Sequence, residues 1–271
     1  MWLILLATWE GAYRVVGWKD WVFPAPSHVL DDTFAMLNVD TGFGEPVGPS
    51  WPRHVGTSTR ELPPWYASPL VKALAISSLR LAAGFAISIG LGMLLGVAMW
   101  RSKSLDRFLG PLFLGLQTLP SVCWVPLAVL LLGLNERGIL FVIVAGSFFA
   151  IAIAMRDGLR TIPPLYQRAG LMMGASGWRL YRYVLLPASL PAMSSSLRQG
   201  FAFAWRSLLG AELILVVQHH GLGFLLETGR NFSDVGQVIA VMIIMVMIGM
   251  AVDRWVFAKL QASVHRRFGL A

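Results

Sequence analysis

Charged residues are scarce in this 271-residue chain, where they make up 13% of the sequence against roughly 25% in ordinary soluble domains. Acidic residues are the scarcer kind, with 14 Asp and Glu against 22 Lys and Arg and a formal net charge of +8. A soluble fold of this length needs more ionisable surface, whereas a protein in lipid can turn apolar side chains outward. Because 56% of the residues are hydrophobic, we predict an integral membrane protein.

Cysteine is nearly absent, since Cys123 is the only one, which excludes an intrachain disulfide and a cysteine-based metal cluster. Its position in an apolar run favours packing over nucleophilic chemistry. Two adjacent histidines, His219 and His220, lack a third ligand, so we predict no metal site. The H-E-x-x-H and G-x-S-x-G patterns are missing, which argues against an intramembrane enzyme.

The basic residues lie in short segments between long apolar runs, a distribution that is typical of membrane proteins and argues against nucleic-acid binding. Charge-free stretches near the ~20 residues that cross a bilayer run over 81–100, 108–135, 138–155 and 235–252. Two weaker spans cover residues 1–16 and 193–217, the latter interrupted by Arg198, Arg206 and Glu212. We predict an all-α polytopic fold with about six transmembrane helices.

The positions of the basic residues predict the orientation. They follow the second, fourth and sixth spans as Arg101, Lys103 and Arg107, then five arginines between Arg156 and Arg182, then Arg254, Lys259, Arg266 and Arg267. All of these segments fall on one side of the membrane, which is therefore predicted to be cytoplasmic and to carry both termini. Residues 18–69 lack sustained periodicity and are predicted to form a loop on the opposite side.

The segment after the fourth span predicts two short helices. Pro163 and Pro164 can begin a helix over residues 165–173, and Gly174 can end it in the left-handed conformation. A second helix is predicted over 178–186, broken or kinked by Pro187 and Pro191. A short basic helix in the cytoplasm suits the docking of a partner protein, and an ordinary basic loop is the alternative.

This segment also resembles the signature loop of binding-protein-dependent ABC importer permeases of type I. The chain has Arg168-Ala169-Gly170, three residues, Gly174, nine residues, and then Val184-Leu185-Leu186-Pro187, which matches the family spacing throughout. It departs from the pattern at two positions, because Arg168 replaces an acidic residue and Gly170 replaces the second alanine. By this resemblance, the contact with an ATPase involves Gln167, Arg168, Ala169, Gly170, Gly174, Leu186 and Pro187.

Three further segments look like the nitrate, sulfonate, taurine and bicarbonate branch of that family: 24–30, 79–85 and 204–212. Residues from about 38 to 65 look like an insertion. The resemblance divides the chain into a first transmembrane helix at 1–17, a periplasmic loop at 18–69, an ABC type-1 transmembrane domain at 70–258 and a cytoplasmic tail at 259–271.

The resemblance implies a permease subunit of the bacterial inner membrane that acts as a homodimer, with two ATP-binding subunits and a solute-binding protein. ATP and Mg would bind to the partner subunits and no cofactor to this chain, which indeed lacks the G-x-x-x-x-G-K-[ST] loop. A secondary transporter is the alternative, but such folds usually contain internal repeats, and this sequence shows none.

Polar residues within the predicted spans are candidates for the translocation path, because ionisable groups at membrane depth are costly and usually serve a pathway or a partner. They are Gln117, Trp205, Arg206 and Glu212. Arg206 and Glu212 are six residues apart and point to different sides of a helix. We predict that Arg206 attracts an anion and that Glu212 braces the packing or the gate; the alternative is that both pair with neighbouring spans.

Overall fold

The computed structural model describes residues 2–17, 24–37, 68–215, 217 and 220–267, which form helices and connecting turns without a β-strand. In chain order the helices are α1 (Trp2–Val16), α2 (Pro26–Met36), α3 (Pro69–Arg101), α4 (Lys103–Gln117), α5 (Trp124–Leu132), α6 (Glu136–Arg160), α7 (Pro164–Met172), α8 (Gly177–Leu180), α9 (Leu186–Ile214), α10 (Leu222–Asn231), α11 (Val235–Val252) and α12 (Ala258–Arg267). The all-α prediction is therefore confirmed.

These helices belong to two compact units, each built from two stretches of chain. One unit comprises Met1–Leu79 and Glu212–Ile248, and the other comprises Arg80–Ala211 and Gly249–Ala271. The boundaries between the two units fall inside α3, α9 and α11. The four contiguous segments suggested by the sequence are a different kind of division, and they stay a prediction.

Within the described part of the chain, three helices are long and apolar enough to cross a membrane: Pro69–Arg101, Glu136–Arg160 and Val235–Val264. Helices α4 and α5 would add a fourth span if they count as one. A multi-pass membrane protein is thus confirmed, while the spans predicted over 1–16 and 193–217 stay predictions. In α6, 67% of the apolar window is buried, against 28% in each of the other two, so α6 is the most enclosed of the three.

The span predicted over 108–135 is not one continuous helix. The segments Lys103–Gln117 and Ser121–Leu132 are bent by 102° at the break between them, and the second begins with the 3₁₀ turn Ser121–Cys123. Pro120 explains the break, because it has no backbone N–H to donate and disfavours a helical conformation at the residue before it. Cys123 lies in this turn and is exposed, so its predicted packing role is wrong.

The segment 18–69, predicted to be an outside-facing loop, contains the helix α2. Pro26 occupies the first turn of this helix, where a missing N–H costs no hydrogen bond, and Pro26, Val29 and Met36 are buried. An 11-residue helix with few buried positions leaves too little periodicity to be recognised in the sequence. The proposed insertion at 38–65 lies outside the described residues.

Helices α3 and α6 pack in parallel through residues at four-residue intervals. Gly84, Ser88, Gly92 and Gly96 of α3 lie against Ile143, Ser147, Ile151 and Met155 of α6, each pair separated by the same 59 residues. The Ser147 hydroxyl donates to the Ser88 hydroxyl over 2.8 Å. Small side chains let two backbones approach closely, which is how helices associate in lipid.

Ion pairs fix both ends of this helix pair. At one end Arg80 of α3, which is buried, forms two hydrogen bonds of 2.7 and 2.6 Å to the Glu136 carboxylate in the first turn of α6. At the other end Asp106 of α4 accepts hydrogen bonds from Arg156 and Arg160 of α6, at 3.2 and 2.6 Å. The parallel packing therefore brings the Arg101–Arg107 segment and the C-terminal end of α6 to the same end of this unit.

The close approach predicts that Gly96→Ala destabilises the protein. A Cβ at residue 96 would lie 2.6 Å from the Ala152 carbonyl oxygen and 2.6 Å from Met155 Cβ, and a backbone oxygen cannot move aside without displacing the helix. We expect a loss of about 1–3 kcal/mol, measured by unfolding in detergent. Gly90→Ala is the matched control, because a Cβ there meets nothing within 4 Å; equal losses for the two variants would contradict this packing.

Candidate functional site

The helix predicted from the signature segment is present. Helix α7 spans Pro164–Met172, with Pro163 at its N-cap position, which agrees with the predicted bounds to within one residue. Gly174 follows with φ of +80°, and its N–H donates to the Leu171 carbonyl over 3.0 Å. The left-handed conformation favours glycine, so the predicted role of Gly174 as a helix stop is confirmed.

Gly170 has a packing reason to be glycine. A Cβ there would lie 2.6 Å from Leu180 Cδ1 and 3.0 Å from Val184 Cγ2, so α7 rests directly on the segment that follows it. Leu180 and Leu185 in turn pack in a buried cluster with residues of α6 and α9. Because Gly170 has no side chain where the family has alanine, α7 can lie close to Leu180 and Val184. The segment that contains these residues is held in place by its packing against α6 and α9.

The other side of α7 is exposed and largely apolar. Gln167, Arg168 and Ala169 are exposed. The large exposed apolar side chains of α7 and its end are Leu165, Tyr166, Leu171, Met172 and Met173. Met172 and Met173 are 90% and 87% exposed, and a cluster of this kind on a soluble surface marks an interaction site.

Pro187 and Pro191 do not break the second helix, and the alternative that they kink it stays a prediction. Helix α8 continues through a π-helical turn at Tyr181–Leu185 into α9, which contains both prolines. A wider turn accommodates a proline because the residue lacks the N–H that an α-helical turn would use. Leu186 and Pro187 are half-buried in α9, so they do not belong to the exposed surface of α7. Burial raises the pKa of the Tyr181 phenol in this turn.

An open cleft of about 700 Å³ lies along α9 beside α11 and α12. It is lined by Ser195, Arg198, Gln199, Phe201, Ala202, Trp205, Arg206, Gly249, Asp253 and Gln261. Trp205 stacks on Phe201, with ring centroids 6.4 Å apart, and its indole lies beside Gly249, where a Cβ would be 3.4 Å from Nε1. The structure thus brings together two of the four predicted path residues, Trp205 and Arg206.

The two arginines of the cleft differ in their partners. Arg198 forms a two-point ion pair with Asp253, at 2.5 and 2.6 Å. Arg206 is exposed, donates to the Ala202 carbonyl over 3.1 Å and lies 4.8 Å above the Phe203 ring. Among the described residues, no carboxylate pairs with Arg206, so its charge is available to a ligand in the cleft.

Glu212 lies in the other unit, in a buried hydrogen-bond network. Its two carboxylate oxygens accept from the Ser77 hydroxyl, at 2.9 and 2.7 Å, and one of them also accepts from the Gly223 N–H at 3.1 Å. The Leu222 N–H donates to the Ser77 oxygen over 2.9 Å. A Cβ on Gly221 would strike the Glu212 carboxylate, so glycine is required there.

The remaining candidates lie elsewhere. Gln117 is the last residue of α4, half-buried beside the break before α5. His220 stacks on Phe224 at 3.6 Å, and His219 lies outside the described residues. Sequence analysis missed Asp253 and Ser77, although an acidic residue beside an apolar span in a chain with so few acids was a usable signal for Asp253.

Comparison with known proteins places these features in a family. A family model described as the binding-protein-dependent transport system inner membrane component matches residues 88–264. A protein of Methanocaldococcus jannaschii described as an ABC transporter permease is 33% identical over 185 residues, 68% of this chain and 69% of that protein. The nitrate import permease protein NrtB of Synechocystis is 28% identical over 177 residues, 65% of this chain and 64% of NrtB. Other relatives carry names for aliphatic sulfonates, bicarbonate and taurine.

The aligned part of the chain thus spans about two thirds of the length of these relatives, and slightly less for NrtB. A chain of the inward-facing MetNI methionine ABC transporter superposes with a TM-score of 0.58 at 17% identity, covering 72% of this chain and 98% of that chain. This likeness concerns the fold and agrees with the predicted polytopic architecture. The family model matches well over half of the residues of this chain. This chain therefore belongs to the family of binding-protein-dependent transport system inner membrane components.

Proposed function

We propose that this chain is the permease subunit of an ATP-driven importer and that it couples to a separate ATPase through α7. The observation that carries the proposal is the exposed apolar surface of α7 beside a buried Gly170 that seats the helix on its supporting segment. An exposed helix on a rigid support can pass the movement of a partner to the spans as a rigid body. The same α7 and its glycines occur where the family resemblance places the ATPase contact.

The substrate is proposed to be a small anion that passes along the cleft of α9. Arg206 is the basis for this, since it lines the cleft and has no carboxylate partner among the described residues. The lining side chains Arg198, Arg206 and Asp253 together carry one net positive charge. Relatives named for nitrate and bicarbonate transport are consistent with such a substrate. A homodimer would supply a second copy of the cleft, and the soluble binding protein would select the solute.

The proposed orientation puts α7 and both chain termini in the cytoplasm. Its support is the parallel packing of α3 and α6, whose C-terminal ends carry Arg101 and Arg160 at the same end of the unit. Lys and Arg are enriched on the cytoplasmic side of membrane proteins, so this end is proposed to face the ATPase.

Replacing Met172 and Met173 together by Glu is expected to abolish association with the ATPase while leaving the permease folded. Both side chains are almost fully exposed, so the substitution adds charge only where a partner would cover it, and burying an unpaired charge is strongly unfavourable. Co-purification of the ATPase and ATP-dependent uptake in membrane vesicles are the measurements.

The control is Ala262→Glu, which adds a charge at an exposed position of α12 and should leave association intact. If the Met172→Glu/Met173→Glu protein still binds the ATPase and transports at the wild-type rate, α7 is not the coupling helix. Uptake by the wild-type protein in vesicles without ATP would overturn the ATP-driven proposal itself.

Arg206→Gln is expected to reduce uptake of the anion by about ten- to hundredfold, which corresponds to the loss of one hydrogen bond to a charged group. Arg206→Lys keeps the charge but loses the planar fork, so it should retain intermediate activity. The measurement is initial uptake rate per assembled complex, with ATPase association checked in parallel.

Arg198→Gln serves as the comparison within the same cleft, because Arg198 is already paired with Asp253 and its loss should affect uptake less. Should Arg206→Gln instead prevent stable expression, Arg206 has a structural role and the proposed anion contact is wrong. Equal uptake by Arg206→Gln and wild type would also contradict it.

Glu212→Gln is expected to destabilise the permease by about 1–3 kcal/mol, the cost of leaving a buried polar group without its partner. The amide oxygen can replace one carboxylate acceptor, but the amide N–H₂ cannot accept from the Gly223 N–H. Thermal unfolding in detergent measures the loss, and uptake per folded molecule should stay near wild type. A loss of uptake without a loss of stability would place Glu212 in the path. Glu10→Gln, at a partly exposed pair with Arg14, is the control.

A further inference from the structure

Helix α4 presents an outward face, its exposed half, that carries a cationic stripe and an apolar stripe. Lys103 and Arg107 lie one turn apart on this face, and Arg101 precedes the helix; all three are exposed. Farther along the helix, Phe108 is 71% exposed, and Leu112 and Leu114 are about half exposed. At about 100° per residue Leu114 lies on the side of Lys103 and Arg107, whereas Phe108 and Leu112 form a stripe about 100–140° around the helix from Arg107, so cationic and apolar stripes lie side by side.

The positive charge of this face is not neutralised by the acid next to it. Asp106, the one acidic residue of α4, points to the inner side, where it accepts hydrogen bonds from Arg156 and Arg160. Gly110 leaves the space for this contact, since a Cβ there would lie 2.8 Å from Arg156 Nη1. Among the described residues, no ion pair involves Arg101, Lys103 or Arg107, so three cations face outward together.

The length of the apolar part matches one leaflet of a bilayer. From Arg107 to the end of α4 at Gln117 the helix rises about 15 Å at 1.5 Å per residue, which is half of the ~30 Å hydrocarbon core. An anionic headgroup can therefore contact the cations while its acyl chains lie along Phe108 and Leu112. A polar solute would have no use for this apolar stripe.

We propose that the outward face of α4, defined by Arg101, Lys103, Arg107, Phe108 and Leu112, binds an anionic phospholipid of the surrounding bilayer. The charge complementarity selects the headgroup, since basic residues beside a membrane span attract anionic lipids. The apolar stripe distinguishes a lipid from a free phosphate, which would contact the cations alone. This site is independent of the solute that is carried and lies apart from the residues assigned to the α9 cleft.

The test uses the purified full-length permease, exchanged into detergent that contains phosphatidylglycerol and phosphatidylcholine with identical acyl chains in equal amounts. Native mass spectrometry then measures which lipid stays bound. We expect the wild type to retain phosphatidylglycerol preferentially, and Lys103→Gln/Arg107→Gln to lower that preference by about fivefold for each charge removed. The preference should also weaken with added salt, because exposed charges are screened.

Arg179→Gln/Arg182→Gln is the matched control, since it removes the same charge from exposed positions that lie outside α4. An equal loss in the control would mean general charge attraction and would overturn the site. Phe108→Ser keeps the charge and should lower total lipid retention without changing the headgroup preference; unchanged retention would contradict the acyl contact. If Lys103→Gln/Arg107→Gln loses assembly with a second copy or the ATPase instead of lipid, this face belongs to a protein interface and the proposal is wrong.

Discussion

The close contact between α3 and α6 is the interaction on which the rest of the larger unit depends. In lipid there is no hydrophobic effect to drive two helices together, so their association relies on packing and hydrogen bonds. Gly84, Gly92 and Gly96 supply the first and the Ser88–Ser147 hydrogen bond supplies the second. Because the contact repeats every four residues, it fixes the register as well as the distance of the two helices.

This register determines what lies at each end of the pair. Arg80 meets Glu136 at one end, and Asp106 meets Arg156 and Arg160 at the other. The second set of contacts also turns Asp106 inward, which leaves the basic residues of α4 uncompensated on the outer side. A single packing contact thus positions the support of α7 and the proposed lipid-binding face at the same end of the unit.

Helix α9 places its charged residues in three different environments. Arg198 is paired with Asp253, Arg206 lines the cleft without a carboxylate partner among the residues described, and Glu212 is buried in hydrogen bonds. Arg206 and Glu212 are about 120° apart around the helix axis, whereas Arg198 and Glu212 lie on nearly the same side but about 21 Å apart along the axis, so each residue meets a different neighbour. This separation explains how one helix can serve a path for an anion and also brace its own packing: the cleft takes the exposed guanidinium, and the buried network takes the carboxylate.

The sequence by itself determined the membrane class, the spans of α3, α6 and α11, and the short helix α7 with its stop at Gly174, because each depends on local composition or on a residue of special backbone geometry. It also determined the family, through the spacing from Arg168 to Pro187. Only the tertiary structure decided that α4 and α5 are bent apart, that α2 is a helix, and that a π turn accommodates Pro187. It alone assigned Asp253 to Arg198 and Ser77 to Glu212. The residues of these pairs are 55 and 135 positions apart in the sequence. A local sequence pattern cannot predict which side chains come into contact over such distances, because that depends on how the helices pack.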